Sequence, residues 1–217
     1  ANNGGSTLTH ALMAGSPAID AGDPEVGPPL YFDQRGEGFS RVVRRVDMGA
    51  YELQSTVPEV SSLVVTTKFD LVDEFDQVTS LREAILYANS LAGADEITFD
   101  ENLFGSEQTI AMLLGEYEIT EAVAIIGPGQ ELLTVDAQEL SRVLNITATT
   151  GDFEIEGLTI TNGKTTGDNP TRSTTTFSGG AIRSLTTGNL EINSSTISGC
   201  STTGDYAGGG GIFVLGS

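Results

Sequence analysis

The residues with the clearest capacity for chemistry are aspartates that recur at short spacings in the first part of the chain. A first group is Asp20, Asp23, Asp33 and Asp47, and a second group is Asp70, Asp73 and Asp76. Carboxylates joined by backbone carbonyls suit Ca²⁺, a hard cation that takes about 6–8 oxygen ligands. The spacing does not match an EF-hand loop, and turn carboxylates also accept hydrogen bonds from backbone N–H groups. We therefore expect no required cofactor, and these residues are candidates for calcium binding.

The only basic cluster consists of Arg41, Arg44 and Arg45. Asp47 and other acids lie nearby in the sequence, so ion pairs within the same segment are one expectation. The alternative is that the cluster docks on an acidic face of a neighbouring module. In that role the three arginines are candidates for a junction between modules.

The composition limits the partners that the protein can have. Its 217 residues carry 30 acidic and 10 basic side chains, which gives a formal net charge of −20. Such a surface repels nucleic acids and anionic membranes, so we expect neither as a partner. No apolar run is long enough to cross a bilayer, and Cys200 has no second cysteine to pair with. This acidic chain, rich in Gly and Thr, is typical of a bacterial protein located outside the cell or on its surface.

The sequence divides into four consecutive parts, and the third contains the predicted helix. Residues 1–54 are rich in turns, 55–62 form a linker, 63–100 contain a helix at 80–90, and 101–217 are dominated by short strands. Ser80 and Glu83 have the spacing of a capping box, and Gly93 can end the helix in a left-handed conformation. The apolar stripe of this helix consists of Leu81, Ala84, Ile85 and Ala88. A helix this short needs an apolar surface beneath it, and the first strands are well placed to supply one.

The last third of the chain contains an internal repeat. "FEIEGLTITNGKTTGD" begins at Phe153 and "LEINSSTISGCSTTGD" begins at Leu190, and half of the aligned positions are identical. "GGAIRSLTT" from Gly179 similarly matches "GGGIFVLGS" from Gly209. Such repeats predict a solenoid whose coils stack at about the strand separation of 4.8 Å. The residues predicted to face its core are Ile155, Leu158, Ile160, Ile182, Leu190, Ile192, Ile197 and Ile212.

Several of these segments resemble one family of bacterial surface proteins. "SLREAILYAN" resembles the N-terminal cap domain named for a Cys-Ser-Leu-Arg-Glu-Ala hexapeptide, although Thr79 stands where the family has cysteine. "GSPAIDAGD", "DQRG" and "VDMGAYE" resemble the C-terminal, choice-of-anchor-type segment of the same proteins. "LTITNGKTTGD" and "NSSTISGC" resemble their coils and those of polymorphic outer-membrane adhesins. The resemblance implies an all-β fold, a right-handed parallel β-helix (solenoid) with one short capping α-helix.

The order of these segments differs from the order in that family, where the cap comes first, then the coils and then the closing segment. Here the closing motif comes first, and the sequence stops within a coil. We expect either a window across the junction of tandem modules or, less favoured, a circular order that closes between neighbouring chains. In both cases residues 1–54 complete a β-helix whose coils do not precede them, and the last coils stay open.

The predicted function is therefore structural. We expect a repeat module of an extracellular or cell-surface filament or stalk, whose partners are copies of itself or adjacent modules stacked head-to-tail. The first alternative is an adhesin that displays loops such as 165–177 from a β-helical support.

A polysaccharide-active enzyme is the less favoured alternative. Lyases with this fold hold calcium with several aspartates beside an Arg or Lys base, and glycoside hydrolases need paired carboxylates. Arg172 and Arg183 instead flank a loop rich in threonine. A strongly acidic chain also suits a polyanionic substrate poorly, so we predict no catalytic residues and no direct insertion into a membrane.

Overall fold

The computed structural model describes residues 1–13, 16–22, 32–37, 39, 41, 46–54, 57–171 and 175–215. The chain divides into two compact units, and each has its own set of internal contacts. The N-terminal unit comprises Ala1–Val60 and Val72–Val78, and the strand unit comprises Ser61–Leu71 and Thr79–Ser217. The acidic segment Val72–Val78 therefore groups with the turn-rich first part of the chain, although the sequence placed it in the cap.

All the regular elements of the described residues lie in the strand unit. The two helices are α1, Leu81–Ala88, and α2, Glu101–Phe104. The strands are β1 Val64–Val65, β2 Asp95–Phe99, β3 Gln108–Ala111, β4 Tyr117–Ile119, β5 Val123–Ile126, β6 Leu133–Asp136, β7 Leu144–Ile146, β8 Phe153–Glu156, β9 Thr159–Thr161, β10 Lys164–Thr166, β11 Ile182–Ser184, β12 Leu190–Asn193, β13 Thr196–Ser198, β14 Ser201–Thr203 and β15 Ile212–Val214.

The strands pair in parallel between successive turns of the chain. One sheet has the order β1-β2-β5-β8-β12, a second β3-β6-β9-β13, and a third β4-β7-β11-β15, while β10 pairs with β14. Each of the first three sheets therefore takes one strand from each of four turns, which begin at β2, β5, β8 and β12. Every strand pairing among the described residues is parallel, and no sheet closes into a barrel. This strand order is consistent with a parallel β-solenoid.

The strand register follows the internal repeat of the sequence. Phe153 pairs with Leu190, and Ile160 pairs with Ile197, which is the ungapped alignment of the two repeat copies. Ile182 pairs with Ile212, as the alignment of the two glycine-rich segments predicts. The repeat therefore predicted both which strands meet and in which register they meet.

Inward side chains form apolar rows that run from turn to turn. One row is Ile97, Ile125, Ile155 and Ile192; a second is Ile110, Val135, Ile160 and Ile197; a third is Tyr117, Leu144, Ile182 and Ile212. In the first three turns these residues are at most 3% exposed. Burial of this kind supplies most of the stabilisation, at about 25 cal/mol per Å² of apolar surface.

Helix α1 begins at the residues that the capping pattern indicates. The Ser80 hydroxyl accepts a hydrogen bond from the Glu83 N–H at 3.1 Å, and the Glu83 carboxylate accepts one from the Ser80 N–H at 2.8 Å. The helix does not end at Gly93, as the sequence suggested. Its C-cap is Asn89 in a right-handed conformation, and Gly93, with a φ of +113°, lies in the following turn.

A buried arginine, Arg35, joins several described segments of the N-terminal unit. The Arg35 guanidinium lies 4.1 Å from the centre of the Phe39 ring and 4.0 Å from the centre of the Tyr51 ring. It donates to the Asp33 carboxylate at 2.6 Å and to the Glu52 carbonyl at 2.6 Å. Stacking and charge-assisted hydrogen bonds thus hold the "DQRG" and "GAYE" segments together.

Candidate functional site

The first turn of the strand unit is covered by helix α1. The helix contacts β1, β2 and β4, and it buries Leu81, Ala84, Ile85 and Ala88. These are the four residues of the predicted apolar stripe. The helix therefore lies on the first turn of the stack.

Arg82 of this helix and its C-cap residue, Asn89, bind the backbone along the outer edge of β4 with their side chains. Arg82 donates to the carbonyls of Gly115 at 2.6 Å and Glu116 at 3.2 Å. The Asn89 amide donates to the Glu118 carbonyl at 2.8 Å and accepts from the Thr120 N–H at 2.8 Å. On its inner side β4 bonds to β7 through the Tyr117 N–H and the Ile119 carbonyl. The two side chains thus satisfy edge groups that point away from the sheet.

Arg82 also neutralises a carboxylate that is removed from water. Its guanidinium binds Asp70 at 2.7 and 3.0 Å, and the side chain of Asp70 is 0% exposed. Asp70 also accepts hydrogen bonds from the N–H groups of Leu113 at 2.7 Å and Leu114 at 3.0 Å. The pair therefore joins the segment before α1, the helix itself and the chain leading into β4.

Tyr117 lies beside this ion pair and has a perturbed pKa. Its ring centre is 4.5 Å from the Arg82 guanidinium carbon. Burial raises the pKa of Tyr117 well above its usual 10.0, and the negative charge of Asp70 raises it further, while Arg82 opposes the rise. The Tyr117 phenol of the folded protein therefore stays protonated at mildly alkaline pH.

This shift predicts a contribution of Tyr117 to stability at alkaline pH. A pKa that is higher in the folded than in the unfolded state favours the protonated form, so the contribution is present below about pH 10 and is lost as pH rises through the folded-state pKa. Tyr117→Phe is expected to flatten the loss of stability above pH 10, as followed by denaturation at successive pH values. Tyr206→Phe, at an exposed position, is the matched control. An unchanged alkaline slope in Tyr117→Phe would contradict the prediction.

A groove of about 420 Å³ lies between α1 and β4. It is lined by Arg82, Ile85, Leu86, Asn89, Glu116, Tyr117, Glu118 and Thr120. The packed face of the helix therefore does not fill the space along this strand. The side chains of Arg82 and Asn89 reach the strand edge beside the open space.

The fourth turn, at the other end of the stack, is uncovered among the described residues. Its strands β12, β13, β14 and β15 are the last members of their sheets. No residue from Leu190 to Leu215 is buried, and Ile212 is 39% exposed although Ile182, its partner in the preceding turn, is 0% exposed. The predicted core residues Leu190, Ile192 and Ile197 are only partly buried. The apolar rows therefore reach the surface here.

The outer strand edges of the fourth turn also lack the residues that usually prevent pairing with another strand. Charged residues, especially lysine, and proline commonly prevent an exposed sheet edge from pairing with another chain. Between Leu190 and Leu215 the only charged residues are Glu191 and Asp205, and there is no lysine, arginine or proline. A protein with a net charge of −20 thus carries a nearly neutral edge at this end.

Cys200 provides a chemical reporter within the fourth turn. Its sulfur accepts a hydrogen bond from the Gly163 N–H at 3.3 Å, which matches the alignment of Cys200 with Gly163 in the repeat. Burial raises the pKa of the Cys200 thiol, which the Gly163 hydrogen bond opposes. As the only cysteine in the chain, it allows the exposure of this end to be followed selectively.

The first predicted calcium group is only partly brought together. The Asp47 carboxylate accepts hydrogen bonds from the N–H groups of Asp20 at 2.7 Å and Leu53 at 2.8 Å. Asp33 binds Arg35, and Asp23 lies outside the described residues. Asp33 and Asp47 thus have protein partners, and Asp20 contributes its backbone rather than its carboxylate.

The second predicted group is divided between the two units. Asp70 belongs to the strand unit, while Asp73 and Asp76 belong to the N-terminal unit. The Asp73 carboxylate accepts from the Phe75 N–H and the Asp76 carboxylate from the Val78 N–H, each at 3.0 Å. Within the described ranges no three His, Cys, Asp or Glu side chains form a group suited to a metal ion. Calcium binding stays a prediction.

Of the three arginines in the basic cluster, the structure describes Arg41. Arg41 lies 3.6 Å from the buried Glu52 carboxylate, so its ion pair is within the N-terminal unit. Arg44 and Arg45 lie outside the described residues, and their role at a junction stays a prediction.

Sequence reasoning missed a second set of buried arginine contacts, on the sheet that contains β4. Arg142 binds the Glu116 carboxylate at 3.0 Å and the Gly179 carbonyl at 2.8 Å. Burial lowers the pKa of Arg142, and Glu116 opposes this shift. Asn145 bridges Glu116 at 2.7 Å and Arg183 at 2.9 Å. These contacts tie the loop before β11 to the sheet.

Comparison with known proteins identifies no relative. No family model matches the chain, and neither a curated protein nor a solved structure is significantly similar to it. No helix among the described residues has the length and apolar character needed to cross a membrane.

Proposed function

We propose that the chain is a structural module of an extracellular or cell-surface filament or stalk, and that modules join head-to-tail. In this proposal the strand unit is a right-handed parallel β-helix. Crossovers between parallel strands of one sheet are right-handed in about 98% of cases, which supports that handedness. Strands of a further coil, from an adjacent module or another copy, complete the fourth turn.

The observation that carries the proposal is the gradient of exposure along the apolar rows. Tyr117, Leu144 and Ile182 are at most 3% exposed, whereas Ile212 in the same row is 39% exposed. A further coil would bury the last member of each row and pair the outer edges of β12 to β15. Backbone hydrogen bonds would then give affinity, and the apolar rows would fix the register.

The N-terminal unit offers apolar side chains for the opposite side of such a junction. These exposed residues are Leu8, Met13, Phe32, Met48 and Leu53. Contact between different surfaces of two copies is heterologous, and where its rotation does not close a ring it produces a filament.

The purified 217-residue chain tests the proposal in two measurements. Sedimentation velocity over a range of concentrations is expected to show association. The alkylation rate of Cys200 is expected to fall as association proceeds, because the fourth turn becomes covered. Electron microscopy of the associated material separates long uniform fibres, which the proposal requires, from isolated particles, which favour the adhesin alternative.

A charged variant makes the test specific for the fourth turn. Val214→Asp places a carboxylate at an inward position that is 50% exposed, and it is expected to prevent association and keep Cys200 reactive at all concentrations. Leu140→Asp, at a turn position that is 67% exposed, is the matched control and is expected to associate normally. A wild-type chain that stays monomeric and fully reactive at Cys200 would overturn the proposal.

A further inference from the structure

The third turn carries a loop that the fourth turn lacks. In the first repeat copy residues 169–178 separate "TTGD" from the segment that begins at Gly179, whereas only residues 206–208 separate "TTGD" from Gly209 in the second copy. The structure describes the two ends of this loop, 169–171 and 175–178. Asn169 and Ser178 are each 1% exposed. Both ends of the loop therefore bury a polar side chain in the strand unit.

Asn169 joins the two ends of the loop to the fourth turn. Its carboxamide donates to the Tyr206 carbonyl at 3.0 Å and to the Ser178 hydroxyl at 3.3 Å, and it accepts from the Phe177 N–H at 3.1 Å. The Asn169 N–H donates to the Asp205 carbonyl at 2.9 Å. A buried amide needs hydrogen-bond partners inside the protein, and Asn169 takes two of its partners from the fourth turn.

The other end of the loop also binds the fourth turn. The hydroxyls of Thr165 and Thr202 both lie within hydrogen-bond distance of the Phe177 carbonyl, and they are 2.8 Å from each other. The Ser178 hydroxyl accepts a hydrogen bond from the Gly208 N–H at 3.2 Å. Thr165 and Thr202 are paired residues of β10 and β14. The Phe177 carbonyl therefore binds a strand of the third turn and a strand of the fourth turn together.

Arg142 anchors the loop to the second turn. Its guanidinium donates to the Thr176 carbonyl at 2.7 Å and to the Gly179 carbonyl at 2.8 Å. This arginine is 3% exposed and also binds the Glu116 carboxylate at 3.0 Å. None of these three partners belongs to the fourth turn, so the anchor does not depend on that turn. The contacts of the loop thus extend from the second turn to the fourth.

The fourth turn has little apolar burial of its own. No residue from Leu190 to Leu215 is buried, whereas Ile155, Ile160 and Ile182 of the third turn are at most 2% exposed. Segments with few buried apolar contacts are the ones that open most readily in a folded protein. Hydrogen bonds to the loop therefore matter more in the fourth turn than in an interior turn.

We infer that Asn169, Phe177 and Ser178 form a clasp that keeps the fourth turn folded while no further coil covers it. The inference rests on the proposed function, to which it adds that the receiving strand edges are formed before a partner binds. A preformed edge lowers the entropy cost of association. Where the turn opens, the apparent affinity for a further coil falls with the fraction of molecules in which it stays closed.

Asn169→Ala tests the clasp in the full chain. Asn189→Ala, at an exposed asparagine immediately before β12, is the matched control. Hydrogen exchange is measured in protein dilute enough to sediment as a monomer, so that association does not slow it. We expect the Ser201 and Gly208 amides, which bind acceptors in the third turn, to exchange at least about tenfold faster in Asn169→Ala than in the control.

A reference amide separates the clasp from a general loss of stability. The Thr98 amide lies in β2 of the first turn and is expected to keep its exchange rate. Equal acceleration at Thr98 and Gly208, or an unchanged rate at Gly208, overturns the inference. If Asn169→Ala does not fold, Thr202→Val removes one hydroxyl from the Phe177 carbonyl while it keeps the shape of the side chain, and it is subject to the same criteria.

The two proposals fail separately in these experiments. A wild-type chain that never associates at high concentration overturns head-to-tail growth. The clasp is measured in the monomer, so the exchange rates decide whether it holds the fourth turn whatever the outcome for association.

Discussion

Arg82→Ala is expected to lower the free energy of unfolding of the strand unit by about 3–5 kcal/mol, the usual penalty for leaving one member of a buried ion pair alone. The Asp70 side chain is 0% exposed, and Arg82 forms a salt bridge with it at 2.7 Å. The variant also removes the donors to the Gly115 and Glu116 carbonyls. Chemical denaturation measures the loss, and hydrogen exchange at the Leu113 and Leu114 amides locates it, because both bind Asp70.

A double-mutant cycle separates the charge from the other contacts of Arg82. Asp70→Asn alone leaves Arg82 without its carboxylate, while the combination of Asp70→Asn with Arg82→Ala leaves no uncompensated charge. We expect the double variant to lose less stability than the sum of the single variants, by at least about 1 kcal/mol. Strictly additive losses would show that the ion pair does not hold the cap.

The sequence predicts the parts of the fold that repeat. Inward residues of one turn must meet similar residues of the next, so two copies that align without gaps also pair without gaps. Phe153 pairing with Leu190 and Ile182 pairing with Ile212 follow this rule. The start of α1 could also be predicted from the sequence, because a capping box is formed by residues only three positions apart.

The sequence does not show contacts between distant residues that lack a repeat. Arg82 meets the Glu116 carbonyl across 34 positions, and Asn89 meets Thr120 across 31. Nothing local distinguishes these two residues from solvated helix positions. The short helix α2, Glu101–Phe104, was missed for a related reason: Phe104 is 0% exposed, and tertiary packing rather than helix period stabilises it.

The partners of the predicted calcium-binding carboxylates could not be predicted from the sequence either. Asp33, Asp47 and Asp70 were singled out by spacing, and each proved to accept hydrogen bonds from arginine or backbone N–H groups. Oxygen ligands for a cation and acceptors for an N–H group are chemically identical in the sequence. Only the positions of the donors distinguish the two roles, and the fold sets those positions.

A matched pair of core substitutions tests the exposed fourth turn directly. Ile160 and Ile197 are neighbours in one row and face the same interior, but Ile160 is 0% exposed and Ile197 only partly buried. Ile160→Ala is expected to cost about 2–5 kcal/mol, since it leaves a cavity between packed turns. Ile197→Ala is expected to cost about 1 kcal/mol in the monomer, because its side chain still contacts water and relaxes easily. Chemical denaturation of dilute protein compares the two.

The proposed association predicts the opposite order of effects for the two substitutions, so the pair also tests association. A further coil stacked on the fourth turn would bury Ile197 as completely as Ile160 is buried now. Ile197→Ala should therefore weaken association of the chain while Ile160→Ala, in its folded fraction, leaves it unchanged. Repeat structures stabilise each turn mainly through its neighbours, and among the described residues the fourth turn has a neighbouring turn on one side only. Equal losses in dilute monomer would mean that Ile197 already has the packing of an interior turn, and the fourth turn would then need no continuation.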